Sequence, residues 1–176
     1  HIGDEVYWKR SSPVLFPIVG KLKNDNYIYD SKTYSLSQHG FARDNEFELK
    51  SQNDNKLTFI LKENIETLKN YPFTFSLELT YILNENDFEI TYKVTSKEDI
   101  LFSLGTHPAF KLHSSINNSF IEFEKKEEAP LYCLDSNTGC INNIKENFLN
   151  SKILKLEKET FKDDALIFKN LKSNSV

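Results

Sequence analysis

Hydrophobic residues alternate with polar or small ones along a long stretch in the middle of the chain. The apolar positions are Phe73, Phe75, Leu77, Leu79, Tyr81 and Leu83, and then Phe88, Ile90, Tyr92 and Val94. The two runs are separated by the turn-forming sequence NEND at 84–87. A period of two residues is that of a β-strand with one buried face, and a helix would need a period near 3.6. The pattern therefore predicts a long antiparallel hairpin in an all-β chain.

Shorter runs of the same kind predict further strands on both sides of this hairpin. A second hairpin is expected where Asp30 and Ser31 turn the chain between Tyr27–Tyr29 and Thr33–Leu36. The remaining predicted strands are Glu46–Lys50, Lys56–Lys62, Leu101–Leu104, Ser119–Glu124, Ile153–Leu156 and Ala165–Phe168. Helical pattern is weak and is confined to two short segments, Ile65–Asn70 and Asn142–Phe148. Short strands joined by polar turns predict an antiparallel β-sandwich or barrel.

The composition narrows the class of protein and its partners. The 176 residues, of which 39% are hydrophobic and 27% charged, suit a single globular domain over residues 1–176. A net charge of -4 argues against a general nucleic-acid binder, which would carry a basic face. No apolar run approaches the roughly 20 residues of a membrane span. We expect a cytoplasmic protein with a small-molecule partner, and the sequence predicts no particular oligomeric state.

The sequence predicts ordinary structural roles for the two cysteines and for the most charged segment. Cys133 and Cys140 are the only cysteines, too few for a disulfide framework or a four-cysteine zinc site. We expect two reduced thiols, with a single bridge between them as the alternative. The segment Glu124–Pro130, EKKEEAP, is predicted to be a solvated loop. No glycine-rich phosphate loop or dinucleotide motif occurs in the sequence.

Three loop segments stand out against this β pattern. They are LFPIVGKLKND at 15–25, SQHGFARD at 37–44 and GTHPAF at 105–110. Taken singly, their histidines could be turn residues, Lys21 a solvated lysine and Arg43 a surface partner of Asp44. Together, His39 and His107 in glycine- and proline-containing loops predict a pocket for a polar small molecule, with histidine as the proton-transfer group. No third ligand accompanies the two histidines, so no metal site is predicted.

These segments, together with DDALIFKNLKS at 163–173, resemble the aldose 1-epimerase (galactose mutarotase-like) family, most of all its short bacterial branch. The resemblance runs from about Trp8 to Val176. It implies a large antiparallel β-sandwich with an open cleft for a sugar. It also implies interconversion of the α and β anomers of a hexose without a cofactor. One group protonates the ring oxygen, another removes the proton of the C1 hydroxyl, and the opened sugar recloses on its other face.

The resemblance assigns catalytic roles to two residues and leaves a third role unfilled. His107 in THPAF matches the general acid of the family, and His39 in QHGFAR matches a second histidine that hydrogen-bonds the sugar near its ring oxygen. The general base of the family is a glutamate in a segment resembling IEPW, and no such segment occurs here. Glu122 and Glu124 do not match it. We therefore expect the chain to be the central part of such a domain, incomplete at both ends and without the base.

The same resemblance implies a set of sugar-binding residues. Lys21 falls where the family often has an arginine that contacts sugar hydroxyls, and Asp164 matches an aspartate that accepts hydrogen bonds from them, with Asp163 as the alternative. Arg43 belongs to a form of the motif that also occurs in relatives acting on hexose 6-phosphates, where arginine suits a phosphate. A hexose-6-phosphate mutarotase and a non-catalytic sugar-binding module are therefore the alternatives to a mutarotase of free hexoses.

Overall fold

The computed structural model describes Val6, residues 8–162 and residues 165–176. The chain divides into two compact units, His1–Pro108 and Ala109–Val176. This division does not test the prediction of one domain, because compactness alone does not show whether a unit folds by itself. The strands pair antiparallel in both units, which confirms the predicted all-β class. In the described part of the chain, no helix is long and apolar enough to cross a membrane.

The described residues of the first unit form eight strands and one short α-helix. The strands are β1 (Val14–Leu15), β2 (Asn26–Tyr29), β3 (Lys32–Ser35), β4 (Glu48–Gln52), β5 (Lys56–Lys62), β6 (Ser76–Leu83), β7 (Phe88–Thr95) and β8 (Gly105–Thr106). Helix α1 (Ile65–Asn70) lies where the sequence predicts it, between an Asn64 cap and the Tyr71-Pro72 pair. Both predicted hairpins form, since β2 pairs with β3 and β6 pairs with β7. Strands β4 to β7 make one sheet in sequence order.

The sheet buries the face that the alternation predicts. Leu77 lies opposite both Leu61 and Val94, and the side chains of Leu77 and Leu79 are almost fully buried. At the far end of the same hairpin, Leu83 and Phe88 are exposed. One end of the sheet therefore packs on the core of this unit, and the other end faces outward.

Phe16 lies at the centre of the core of the first unit and is 0% exposed. Its ring contacts the rings of Phe41, Tyr71, Phe75 and Phe102, with centroids 6.1, 6.1, 5.1 and 5.6 Å away, respectively. Aromatic pairs in such tilted or edge-on arrangements contribute about 0.5–1.5 kcal/mol each beyond the area that they bury. The segment after β1 is thus anchored in the most densely aromatic part of the unit.

The second unit is built on one long hairpin of β9 (Phe120–Leu134) and β10 (Ile141–Lys155). The predicted strands Ser119–Glu124 and Ile153–Leu156 are the far ends of these two strands. The predicted helix at Asn142–Phe148 is wrong, because this segment lies inside β10. Register shifts near Ile141 and between Lys145 and Leu149 interrupt the pairing with β9. Such irregularities break the two-residue period from which a strand is predicted.

Three further predictions differ from the structure. Leu101–Leu104 is not a strand, because only the next two residues pair, as β8 with β1. Ala165–Phe168 makes a single bridge, from Ile167 to Tyr132. Glu124–Pro130 is not a loop but part of β9.

The two cysteines are free, in agreement with the prediction of two reduced thiols. Cys133 is buried on β9 and Cys140 is partly exposed, and both are free. The alternative of a bridge between the two thiols is therefore not realised.

Glu127, in the charged segment Glu124–Pro130, is a buried carboxylate and is only 1% exposed. Its carboxylate accepts hydrogen bonds from the main-chain N–H groups of Lys172 (2.9 Å) and Ser173 (2.7 Å), and from the Ser173 hydroxyl (2.6 Å). These bonds, first of all the one from Lys172, hold the pKa of Glu127 below its ordinary value. A carboxylate can be buried when its oxygens are supplied with donors in this way.

Candidate functional site

The two histidine loops of the first unit are held on the same short strand, β1. At its end, the Phe16 carbonyl accepts hydrogen bonds from the N–H groups of Phe41 (3.0 Å) and Ala42 (3.1 Å), just after the histidine of the second loop. On the other side, β8 pairs with β1 and leads directly into His107. Loops distant in sequence are thereby brought to one edge of the unit.

Gly40 allows the close approach of the second loop to β1. It has a φ of +69°, and a Cβ atom at this position would overlap the carbonyl group of Phe16. Only glycine adopts this conformation without strain while leaving room for the neighbouring main chain. Close packing against Phe16 therefore requires a glycine in the HGFAR motif, and this packing sets the position of His39.

His39 is fixed to the first loop by two hydrogen bonds with Gly20. The Gly20 N–H donates to His39 Nδ1 (3.0 Å), and the His39 N–H donates to the Gly20 carbonyl (2.8 Å). The imidazole is half-buried. Burial lowers the pKa of His39 below its ordinary value of 6.5, and the charges of Arg43 and His107 lower it further. His39 is therefore a neutral imidazole at physiological pH.

His107 lies beside His39 and is the more exposed of the two rings. The rings meet edge to face, with centroids 6.1 Å apart and planes at 85°. The indole of Trp8 covers another part of the His107 ring, with centroids 4.8 Å apart and planes at 36°. The His107 N–H donates to the Pro13 carbonyl at 3.2 Å. The structure therefore brings together the two histidines that the sequence singles out.

Arg43 lies close to this pair but is largely engaged within its own loop. Its side chain is 18% exposed, and one terminal nitrogen donates to the Gln38 carbonyl at 2.6 Å. Its Nε lies 3.7 Å from a carboxylate oxygen of Asp44, which is ion-pair range but too long for a hydrogen bond, and this Nε is buried without a hydrogen-bond partner. Arg10 binds the other Asp44 oxygen at 2.8 Å. The guanidinium is thus largely buried and held beside Gln38 and Asp44 of its own loop.

Of the other predicted binding residues, Lys21 lies within the described part of the chain. Lys21 follows Gly20 directly, and its ammonium lies 4.0 Å from Asp25. Asp164 and its alternative Asp163 lie outside the described residues. Among the residues that the structure does describe, no three His, Cys, Asp or Glu side chains are grouped as ligands for a metal ion.

Sequence reasoning missed two residues that contact the histidines, Trp8 and Gly20. Trp8 is the only tryptophan in the chain, a residue type rare enough to have drawn attention. Gly20 carried a weaker signal, since a glycine between two loop segments is common. Its contact with His39 becomes visible only when the two loops are placed side by side.

The first unit therefore presents two adjoining histidines, one half-buried and one exposed, on an antiparallel β scaffold. The sequence profile of the aldose 1-epimerase family matches residues 2–174. The chain therefore belongs to the aldose 1-epimerase family.

Three relatives support this membership. Protein LacX of Lactococcus lactis subsp. lactis is 34% identical over 98% of this chain. A galactose mutarotase related enzyme from Lactobacillus acidophilus is 38% identical, with a TM-score of 0.80 over 93% of this chain. A galactose mutarotase-like protein from Lactobacillus casei is 32% identical, with a TM-score of 0.77 over 88% of this chain. The chain spans 62% of the length of LacX and 56% and 55% of the two solved chains.

Proposed function

We propose that this chain carries the acid side of an aldose 1-epimerase, which interconverts the α and β anomers of a hexose by opening and reclosing its ring. The observation that carries the proposal is the edge-to-face pair of His39 and His107, with centroids 6.1 Å apart. One ring of the pair is neutral and tied to the main chain, and the other is exposed to a ligand. Membership of the aldose 1-epimerase family supports a sugar as that ligand.

In this mechanism His107 is the general acid. It gives a proton to the ring oxygen of the sugar while His39 hydrogen-bonds the sugar close to the same oxygen. The C1 hydroxyl loses its proton to a base, the ring opens, and rotation about the C1–C2 bond exposes the other face of the aldehyde. Reclosure returns both protons, so no atom is gained or lost and no cofactor is required. A positioned acid or base typically contributes about 10²–10⁴-fold to such a rate.

The base of this reaction is proposed to lie outside the 176 residues. The sequence has no segment resembling the IEPW of the family. A chain with the acid and without the base should bind a hexose weakly and epimerise it little faster than water does. A form of the protein that includes the base should be fully active.

Polarimetry of freshly dissolved α-glucose and α-galactose tests the proposal. The 176-residue chain and the complete product of its gene are measured side by side, and His107→Gln in the complete product should lower the rate by about 10²–10⁴-fold. His113→Gln is the matched control, because His113 is an exposed histidine that belongs to the second unit. Equal rates for the two variants would refute the role of His107. Full activity of the 176-residue chain would refute the absence of the base.

A free hexose is favoured over a hexose 6-phosphate because Arg43 already donates to Gln38 and lies beside Asp44. If the phosphate alternative holds, Arg43→Ala lowers kcat/KM for a hexose 6-phosphate far more than for the free hexose. An equal change for both substrates supports the free hexose. If the complete product binds a hexose in calorimetry without accelerating its mutarotation, the non-catalytic sugar-binding module replaces the enzyme.

A further inference from the structure

We propose that the main-chain N–H of Gly20 is a positioning group that holds His39 as the tautomer protonated on Nε2. In this form His39 donates a hydrogen bond to the sugar and does not itself transfer a proton. The second half of the proposal rests on the proposed function. The first half, the tautomer, concerns the protein alone and can be tested without any substrate.

The geometry of the two loops carries the assignment. The Gly20 N–H donates to His39 Nδ1 at 3.0 Å, and the His39 N–H donates to the Gly20 carbonyl at 2.8 Å. A main-chain N–H can only donate, so Nδ1 must present its lone pair. In a neutral imidazole the single proton then resides on Nε2. The paired hydrogen bonds fix both the tautomer and the orientation of the ring.

The same contact opposes protonation of His39. An imidazolium would direct a second N–H, on Nδ1, against the N–H of Gly20. The charged groups that act on the ring are Arg43 and His107, and both are cations or become so. Together with burial, they lower the pKa of His39. Gly20, Arg43 and His107 thus all favour the neutral form of this ring.

The backbone conformations of Gly20 and His39 indicate that the two loops are shaped for this contact. Gly20 has a φ of +84° and His39 a φ of +69°, so both occupy the left-handed region. For a histidine this conformation has an energetic cost. The cost is offset because the loop on the C-terminal side of His39 is bonded to Phe16 through Phe41 and Ala42.

The chemical consequence is a division of roles between the histidines. Loss of the Nε2 proton would leave His39 as an imidazolate, which is far too basic to form at neutral pH. His39 can therefore polarise the ring oxygen or a neighbouring hydroxyl only through a hydrogen bond. The proton that moves belongs to His107, whose exposed ring lies edge to face with that of His39.

Nuclear magnetic resonance of the protein labelled with ¹⁵N-histidine tests the tautomer directly. Long-range ¹H–¹⁵N correlations at neutral pH should show His39 Nδ1 as a nitrogen with a lone pair and Nε2 as a protonated nitrogen. His39→Asn identifies the signals. A proton on Nδ1, averaging between the tautomers or an imidazolium would each overturn the proposal, whether or not the protein acts on a sugar.

Two substitutions of His39 test its role as a donor in the complete gene product. In His39→Asn the side-chain oxygen can still accept from Gly20, and asparagine tolerates a positive φ, but the Nε2 donor is lost. In His39→Gln the longer amide can place an N–H donor near the position of Nε2. Glutamine should therefore retain about 10-fold more mutarotase activity than asparagine, at the scale of one hydrogen bond in a site. A more active asparagine variant, or equal activities, would overturn the donor role while leaving the proposed function intact.

Discussion

The indole of Trp8 lies against the imidazole of His107, with ring centroids 4.8 Å apart. The two rings come from opposite ends of the first unit in sequence, and their contact holds His107 at the position where it meets His39. An exposed histidine on a proline-containing loop would otherwise have several side-chain rotamers available. Trp8 is therefore placed to limit the motion of the proposed acid.

Replacement of Trp8 should slow the reaction without abolishing it. An aromatic pair contributes about 0.5–1.5 kcal/mol, which corresponds to a rate effect of about 2- to 10-fold for Trp8→Ala if the contact orients His107. Trp8→Phe keeps an aromatic face and should remain close to the parent protein. Polarimetric kcat and KM values of the complete gene product measure both variants. An alanine variant with the parent kcat would show that the contact does not orient the acid.

The stability of the protein should decrease in mild acid because of His39. Its pKa in the folded protein is lowered below 6.5, so the unfolded chain takes up a proton before the folded chain does. The stability that this shift contributes is present above the unfolded pKa and is lost as the pH falls from there through the folded pKa. His39→Asn removes the titrating group and keeps an acceptor for Gly20.

Thermal unfolding at about pH 7.5 and about pH 5.5 measures this effect. The parent protein should lose more stability between the two values than His39→Asn does. His113→Asn serves as the control, since this exposed histidine belongs to the second unit. An unchanged acid response in His39→Asn would contradict the neutral state of His39.

Gly40→Ala should be much more damaging than Gly20→Ala. Both glycines have positive φ values, +69° and +84°, but an added Cβ meets the Phe16 carbonyl at position 40 and nothing within 4 Å at position 20. Conformational strain alone predicts a loss of about 1–2 kcal/mol at Gly20, and strain with overpacking predicts about 2–5 kcal/mol at Gly40. Denaturant unfolding gives both values. Equal losses would mean that the main chain at Phe16 moves aside readily.

Glu127→Gln should destabilise the second unit and reduce its sensitivity to acid. The pKa of this carboxyl is held below 4.5 by the hydrogen bonds from Lys172 and Ser173. The stability that it contributes is therefore present above about pH 4.5 and lost as the pH falls through the folded pKa. Melting temperatures at neutral and acidic pH measure the difference between the variant and the parent.

Glu122→Gln is the matched control for this experiment. Glu122 is on the same strand, but its side chain is 53% exposed and forms one surface ion pair with Lys152. Such a pair contributes about 0–1 kcal/mol, so the control should melt close to the parent protein. If both variants melted alike, burial of the Glu127 carboxylate would not matter for stability.

The sequence predicts the first unit better than the second for a physical reason. Alternation from Phe73 to Val94 is local, regular and set by one buried face, so the hairpin is read directly from the chain. In β10, register shifts interrupt the pairing with β9 and the two-residue period of a strand. The sequence of this strand therefore resembles that of a helical turn. The burial of Glu127 depends on donors 45 and 46 residues further along the chain, which no local pattern reveals.

The same distinction applies to the site. The loops that contain His39 and His107 carry short motifs, and these motifs are sufficient to single out both residues. Their contacts with Gly20 and Trp8 join segments that only the pairing of β1 with β8 and the approach of Gly40 to Phe16 bring together. Motifs indicate which residue types are present, whereas the state of each histidine depends on its neighbours in space.

Phe16 takes part both in the aromatic core and in the loop that contains His39. Its side chain fills the middle of the aromatic core, and its carbonyl holds the loop that follows His39. A mutation that merely repacks the interior at this position would therefore also displace an imidazole whose ring is in contact with His107. In a mutational screen, Phe16 would score as a residue of the proposed sugar site although its ring is fully buried. Thermostability and the proposed activity could not be selected independently at this position.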